Sequence, residues 1–288
     1  MSIRRVLGAI KQADNDFNLF EDGDRIAVGV SGGKDSIVCL YALSLYKRFA
    51  QKDFEIIGIH IDLGFGNMDF SETEEFCKKH NIIYHSYPSD VYEILKLNLR
   101  PNGMLECSIC SRMKKATVIK AAKENNCNKV AFAHHVDDAI ETLFLNMIYG
   151  GRIATFDPKM RLTKSDMTFI RPLIYAREKD IIRAYKKEEL PIVVSTCPND
   201  KFTKREDIKN LLKSIYKEYP SAYDNFKLML TNTEKLKVFY PNGKLNDALM
   251  DYRDHFDEVF PLHNYNITSD EIIKVIETCI KNNQKITK

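Results

Sequence analysis

Three groups of residues in this 288-residue chain have types and spacings that suit chemistry. The first is Ser31-Gly32-Gly33-Lys34-Asp35-Ser36. It follows a short apolar run, Ile26 to Val30, and precedes a long helical pattern. Two adjacent glycines let the backbone turn tightly and approach a ligand. The helix behind them offers unpaired N–H groups and a positive dipole end, which together attract an anion. Ser31, Lys34 and Ser36 add donors and charge. The second group is His134-His135-Val136-Asp137-Asp138, after an apolar run at Lys129 to Phe132. Its aspartates suit either a helix cap or oxygen ligation of Mg²⁺. The third is Cys107-Ser108-Ile109-Cys110, followed by Ser111-Arg112-Met113-Lys114-Lys115. A two-residue spacer lets two thiolates share one metal or cluster, and nearby cations favour the thiolate. A redox pair is the alternative reading. Cys197, before Pro198, adds a third thiol; three thiolates suit a [4Fe–4S] cluster with one iron left open. No second Cys-x2-Cys completes a zinc knuckle.

The elements that must position these groups alternate. Strands are expected at Ile26–Val30, Glu55–Asp62, Ile82–His85, Lys129–Phe132 and Phe169–Arg171. Helices are expected at Lys34–Tyr46, Ser71–His80, Ser111–Asn125, Asp137–Tyr149 and Glu178–Lys187. A loop around Pro101-Asn102-Gly103 leads to the cysteine pair. The pattern predicts an α/β fold, a parallel sheet covered by helices on both faces, with a helical, Lys-rich region beyond about Glu206. Gly150-Gly151 is a helix-stop signal. Cys39, Cys77, Cys127 and Cys279 read as helix or core residues. The expected division is an N-terminal helix at 1–22, a catalytic domain at 23–200 and a helical region at 201–288.

Composition narrows the classes. Net charge is +3, so any RNA surface must be a local patch. No apolar run reaches membrane-spanning length, and Met1 to Phe20 has no signal-peptide pattern, so no membrane partner and a cytoplasmic location are expected. Seven cysteines in such a chain argue against a disulfide framework.

The glycine loop has neither the Gly-x4-Gly-Lys-Ser/Thr nor the Gly-x-Gly-x2-Gly spacing. It resembles the pyrophosphate loop of the ATP pyrophosphatases, which form adenylated intermediates. The segments Glu141-Thr-Leu-Phe-Leu-Asn-Met-Ile-Tyr-Gly-Gly and Arg171-Pro-Leu-Ile-Tyr-Ala-Arg-Glu-Lys-Asp are similar to the tRNA 2-thiocytidine synthetase family, from about Arg4 to Phe239. The resemblance implies ATP on Ser31, Gly32, Gly33, Lys34, Asp35 and Ser36, with His135 beside it. It implies cluster ligation by Cys107, Cys110 and Cys197. Lys114 and Asp138 match active-site positions of related thiolases, and Cys197 is a third catalytic candidate. Asp137 is the candidate for Mg²⁺. The implied reaction adenylates the C2 carbonyl of a pyrimidine, cytidine 32 of a tRNA, and replaces oxygen with sulfur. Expected partners are tRNA, a sulfur donor (a cysteine desulfurase or sulfide) and a second copy of the chain. Arg112, Lys114, Lys115, Lys204 and Arg205 are candidates to hold the RNA backbone.

The chain departs from the family in three places: Cys197 stands without a second nearby cysteine, Leu63-Gly64-Phe65-Gly66 follows the second strand, and the tail beyond about Pro241 has no counterpart. The residues themselves leave open which base is modified. The rival readings are a 2-thiouridine synthetase, a lysidine-type ligase, and a non-catalytic nucleotide-binding redox or sulfur-carrier protein.

Overall fold

A computed structural model describes residues 2–66, 68–100, 103–199, 204–232, 243–262, 265 and 267–286. Pro101 and Asn102 of the expected loop lie outside the described residues, as do Phe239 and Pro241. Among the described residues no helix is long and apolar enough to cross a membrane. The chain forms two compact units, Met1–Lys227 and Leu228–Lys288.

The first unit runs α1 (Ser2–Phe17), β1 (Asp24–Val30), α2 (Lys34–Tyr46), β2 (Phe54–Asp62), α3 (Ser71–Lys79), β3 (Ile83–Pro88), α4 (Val91–Lys96), α5 (Cys107–Glu124), β4 (Lys129–Ala131), α6 (Val136–Gly150), β5 (Lys159–Leu162), β6 (Met167–Ile170), α7 (Glu178–Lys187) and α8 (Lys204–Glu218). The sheet order is β3-β2-β1-β4-β6-β5. Every pairing is parallel except that of β5 with β6. That antiparallel edge was not legible in sequence: β5 is four residues of mixed polarity, tied to β6 by a turn with Asp166 at φ 48°.

Period-two alternation divides the core. Ala27 of β1 and Ile57, Ile59 and Ile61 of β2 face Val118, Ala121 and Ala122 of α5, joined by Val130 and Phe169. On the opposite face Gly58 of β2 lies against Leu40 of α2, whose Cδ2 stands 3.2 Å from where a Cβ would be. Both faces are covered, so the central strands read as continuous apolar runs. The chain builds outward from β1 to β2 and β3, then returns to add β4 on the other side of β1. The carboxyl ends of β1 and β4 therefore flank a topological switch point, where a crevice opens.

The helix expected from Ser111 begins four residues earlier, at Cys107. Glu106 caps it, accepting from the Ser108 N–H at 3.3 Å. Arg100 grips the same carboxylate at 2.8 and 2.9 Å. The Arg100 bond first, then the Ser108 amide, hold Glu106 down at about 2. Both cysteines of the pair are thus part of a helical first turn and not of a loop. α6 ends where the glycines predict, with Gly151 at φ 59°.

In the second unit α10 (Gly243–Phe256) and α11 (Ser269–Asn282) enclose Tyr252, Phe256, Phe260, Ile272 and Ile276. A Thr268/Glu271 capping box starts α11. A further helix, α9, covers Ala222–Met229.

At the amino ends of β1 and β4, Lys129 places its ammonium 2.6 Å from Asp24 Oδ2, both side chains 5% exposed or less. Lys129 also donates to the Leu19 carbonyl, and Asn128 donates to Asp24 Oδ1. Removing one member strands the other as a buried charge. Asp24→Ala should lower unfolding stability by about 3–5 kcal/mol in urea titration; an unchanged midpoint would show that the pair holds nothing together.

Candidate active site

The loop after β1 turns through Gly32 at φ +86°. Its carbonyl accepts from the Val193 N–H at 2.9 Å. A Cβ on Gly32 would lie 2.9 Å from Val193 Cβ and 3.1 Å from the Phe70 ring. Phe70 is itself fixed by His60, whose ring centroid is 3.7 Å away. His60 donates through Nδ1 to the Val30 carbonyl at 2.9 Å, and burial pushes its imidazole down although that bond pulls the other way. Ser36 closes the turn: its hydroxyl donates to the Gly33 carbonyl at 2.8 Å and accepts from the Ser31 N–H at 3.1 Å. No side chain caps the start of α2. Its first amides therefore remain open to an anion.

Lys34 reaches Asp35 at 3.0 Å and Glu178 Oε1 at 3.1 Å. Burial works against its charge, but those two carboxylates outweigh it and its affinity for the proton rises. Burial would likewise push Glu178 up, yet Lys209 and Lys34 hold it down at about 2. Lys34, Lys209 and Glu178 are thus all charged around neutrality.

The loop after β4 carries a capping box. The His135 N–H donates to Asp138 Oδ2 at 2.9 Å, and the Asp138 N–H donates to His135 Nδ1 at 3.3 Å. Asp137 Oδ2 accepts from the Glu178 N–H at 2.7 Å and from the Tyr223 hydroxyl at 3.3 Å. Asp137, the sequence candidate for Mg²⁺, is therefore occupied in fixing the start of α7. Asp35 Oδ1 is buried with no hydrogen-bond partner. Asp35 and Asp138 line both cavities described next, and Asp35, with that unpartnered oxygen, is the carboxylate better placed for a cation carried by a phosphate ligand.

Two adjoining cavities open here. One, of about 250 Å³, is walled by Gly29, Val30, Ile59, Ile61 and Phe132, with Ser31, Lys114 and His134 at its polar edge. His134 Nδ1 is buried without a partner, and burial pushes its imidazole down, so it presents an uncharged ring. The other, of about 370 Å³, is bordered by Lys34, His135, Glu178, Cys107, Cys197 and Lys209.

The cysteines meet this second cavity from two segments. Asn199, buried, stitches the segments together. It donates to the Leu105 carbonyl at 2.7 Å and to Cys107 Sγ at 3.2 Å, and its Oδ1 accepts from the Leu105 N–H at 3.3 Å. Cys110 is pushed up by burial, and pulled back by Lys114, with Cys197 and Cys107 close enough to act on it. Lys114 is pushed down by burial against the pull of Cys110 and Cys197. It lies at the edge of the smaller cavity and within electrostatic reach of two thiols. Among the described residues no three Cys, His, Asp or Glu side chains converge as tightly as a single metal ion demands. Cys107 and Cys197 border the larger cavity and Cys110 lies within electrostatic reach of both, a set of soft thiol donors of the kind that ligates iron–sulfur clusters.

Of the basic residues expected to face RNA, Arg112 and Lys115 are exposed on α5. Arg205 is committed elsewhere, contacting Asp138 and Glu141 at 3.3 Å and Thr142 at 3.1 Å. Lys204 sits over the Tyr149 ring at 4.2 Å. Sequence reading missed Glu178, Lys209 and Asn199 as site residues. The available signals were weak: Arg205 and Lys209 share a helix face at i, i+4, and Asn199 stands two residues after Cys197.

Residues 4–214 match the model of a family described as a PP-loop domain. The tRNA-cytidine(32) 2-sulfurtransferase of Geotalea uraniireducens is 37% identical over 232 residues, 80% of this chain and 92% of that one. The enzyme of the same name from Alcanivorax borkumensis is 36% identical over 231 residues, 80% of each chain. Among solved structures, the U34-tRNA thiolase NcsA from Methanococcus maripaludis with its [4Fe-4S] cluster superposes with a TM-score of 0.64. The two share 21% identity, over 83% of this chain and 81% of that one, a likeness of fold.

Two substitutions test the arrangement. Gly32→Ala forces the loop away from Val193 and Phe70, and should abolish binding of phosphate-bearing ligands, read by calorimetry, while circular dichroism stays unchanged; retained affinity would show that the loop does not need this approach. Lys114→Met should raise thermal stability at neutral pH, because burial disfavours the ammonium there. The folded-state proton affinity of Lys114 is below its unfolded value, so the gain should shrink as pH rises into the ordinary lysine range. A loss of stability at neutral pH would contradict that sign.

Proposed function

The chain belongs to the PP-loop domain family and, within it, to the tRNA-cytidine(32) 2-sulfurtransferases, and from that premise we propose that it adenylates the C2 oxygen of cytidine 32 in tRNA and exchanges it for sulfur. The observation that carries the reading is one cavity bordered by Lys34 and Asp35 of the loop and by Cys107 and Cys197. Activation and sulfur delivery then share a single space. A lysidine-type ligase would have no use for thiols in that position.

In this reading the adenosine end of ATP enters the smaller cavity, where apolar Val30, Ile59, Ile61 and Phe132 stand beside polar Ser31, Ser36 and His134. The β- and γ-phosphates lie on the loop amides and Lys34. Asp35, with Asp138 beside it, would hold a Mg²⁺ bound to the phosphates, which would supply charge neutralisation there. The C2 carbonyl oxygen of the base attacks the α-phosphorus, the bond to the bridging oxygen breaks, and pyrophosphate leaves. Preorganised N–H groups and Lys34 stabilise the charge that develops on it. Sulfide sulfur then attacks C2, and the C2–O bond breaks with AMP as leaving group. The net change is ATP plus hydrosulfide to AMP plus pyrophosphate, with 2-thiocytidine formed.

The chain's residues prepare each step. Lys114, with its ammonium destabilised by burial, can release a proton more readily than a surface lysine, and it stands between the thiols and the nucleotide cavity. His134 gives that cavity an uncharged hydrogen-bonding ring. Cys107, Cys110 and Cys197 would hold a [4Fe–4S] cluster, whose fourth iron, lacking a protein ligand, supplies a site for binding sulfide. An anticodon-loop base is readily splayed into a pocket, and the exposed Arg112 and Lys115 on α5 are the candidates to meet the tRNA backbone.

The reconstituted protein, incubated anaerobically with unmodified tRNA, ATP, Mg²⁺ and sulfide, should yield 2-thiocytidine at position 32 by nucleoside mass spectrometry. Cys197→Ser should lose bound iron and thiolation while still releasing pyrophosphate. Wild-type protein that leaves the tRNA unthiolated would reject the proposal, and full iron content in a Cys107/Cys110/Cys197 triple-serine variant would reject the ligand set.

A further inference from the structure

We infer that Lys209 of α8 is a second phosphate-gripping lysine, which takes hold of the β- and γ-phosphates, and of the departing pyrophosphate, opposite Lys34. The inference rests on the nucleotide-activating reading above and adds a residue from an element that carries no recognisable motif. Lys209 Nζ lies 2.9 Å from Glu178 Oε1, and Lys34 Nζ lies 3.1 Å from that same oxygen. Two ammonium groups from separate helices therefore converge on one point, at the border of the cavity of about 370 Å³. Adjacent like charges repel unless an anion lies between them. Glu178 fills that role, and its own position is dictated by the bond from its N–H to Asp137.

Two ammonium groups bordering one cavity can share a diphosphate between them. One side of the anion would face the open amides at the start of α2 with Lys34, and the other side would face Lys209. Glu178 keeps both cations charged and aimed before ligand arrives, so little reorganisation accompanies binding. Arg205 makes the placement rigid. One turn before Lys209 on α8, it contacts Asp138, Glu141 and Thr142 of α6. α8 is thus fastened beside the site, with Arg205 and, one turn on, Lys209 both bordering the cavity. The cavity's lining carries Asp35, Asp138, Glu141, Glu178 and Glu206 against Lys34 and Arg205, so a third cation, Lys209, offsets a field that otherwise opposes a polyanion.

The test is calorimetric binding of inorganic pyrophosphate, ATP and AMP, each with Mg²⁺, to wild type, Lys209→Ala and Lys209→Arg. A charge-assisted contact is worth enough that Lys209→Ala should weaken pyrophosphate and ATP about tenfold or more. AMP, which lacks the outer phosphates, should bind all three proteins equally, and Lys209→Arg should recover most of the loss. Pyrophosphate affinity equal to wild type in Lys209→Ala, or an equal loss for AMP, would overturn the inference. Failure of wild type to bind ATP would instead remove the activation chemistry from which it starts.

Discussion

The parallel pairing of β1 with both β2 and β4 is the constraint from which the site follows. Hydrogen-bonded on both sides and buried on both faces, β1 has no freedom of register: Asp24 through Val30 face Phe54 through His60, and Ile26 through Val28 face Lys129 through Ala131. The chain must leave the sheet at the carboxyl ends of β1 and β4, one loop beside the other. The glycine turn and the His-His loop are neighbours for that reason, although a hundred residues separate them. At the opposite end, the buried Lys129–Asp24 pair fixes the same two strands in line, so the two ends of one strand pair are pinned by different chemistry.

Around that crevice, carboxylates serve as joints more than as free ligands. Asp137 anchors α7, Asp138 anchors both the His135 turn and Arg205, Glu178 collects two lysines, and Glu106 caps the cysteine helix. Asp137 and Glu178, both partly buried, gain more from these bonds than fully exposed carboxylates would. The consequence is a site whose cations arrive already aimed. Asn199 does the same for the thiols without any charge, binding Leu105 through both backbone groups and Cys107 through its sulfur. Removing solvent from Lys114 has the opposite sense: the local structure spends stability there, and activity is the usual return at such positions.

Much of this was legible in one dimension. The strands of the parallel sheet read as apolar runs because helices cover both faces, and α2 and α7 fell where their patterns place them. The Ser31–Ser36 loop declared itself by glycines between a buried strand and a helix. Cys197 was named as a third thiolate for the Cys107/Cys110 pair, but its distance from that pair in sequence left their meeting undecided. What stayed hidden was decided by partners distant in sequence. The start of α5 moved to Cys107 because Arg100 and Glu106 build a cap that a cysteine-rich segment does not advertise. β5 is too short and too polar to announce a strand, and exists because β6 offers it an edge.

Local order alone determined that this chain is an α/β protein with an anion-binding loop and a cysteine pair fit for metal or sulfur chemistry, since glycine's conformational freedom, helix dipoles and thiol softness act over a few residues. Which carboxylate fixes a helix and which faces the cavity, which lysine stands opposite Lys34, and whether Cys197 reaches the loop's cavity were decided only in three dimensions. Those outcomes depend on strand order and on the burial of charge, and both are set by contacts between segments that no local pattern connects.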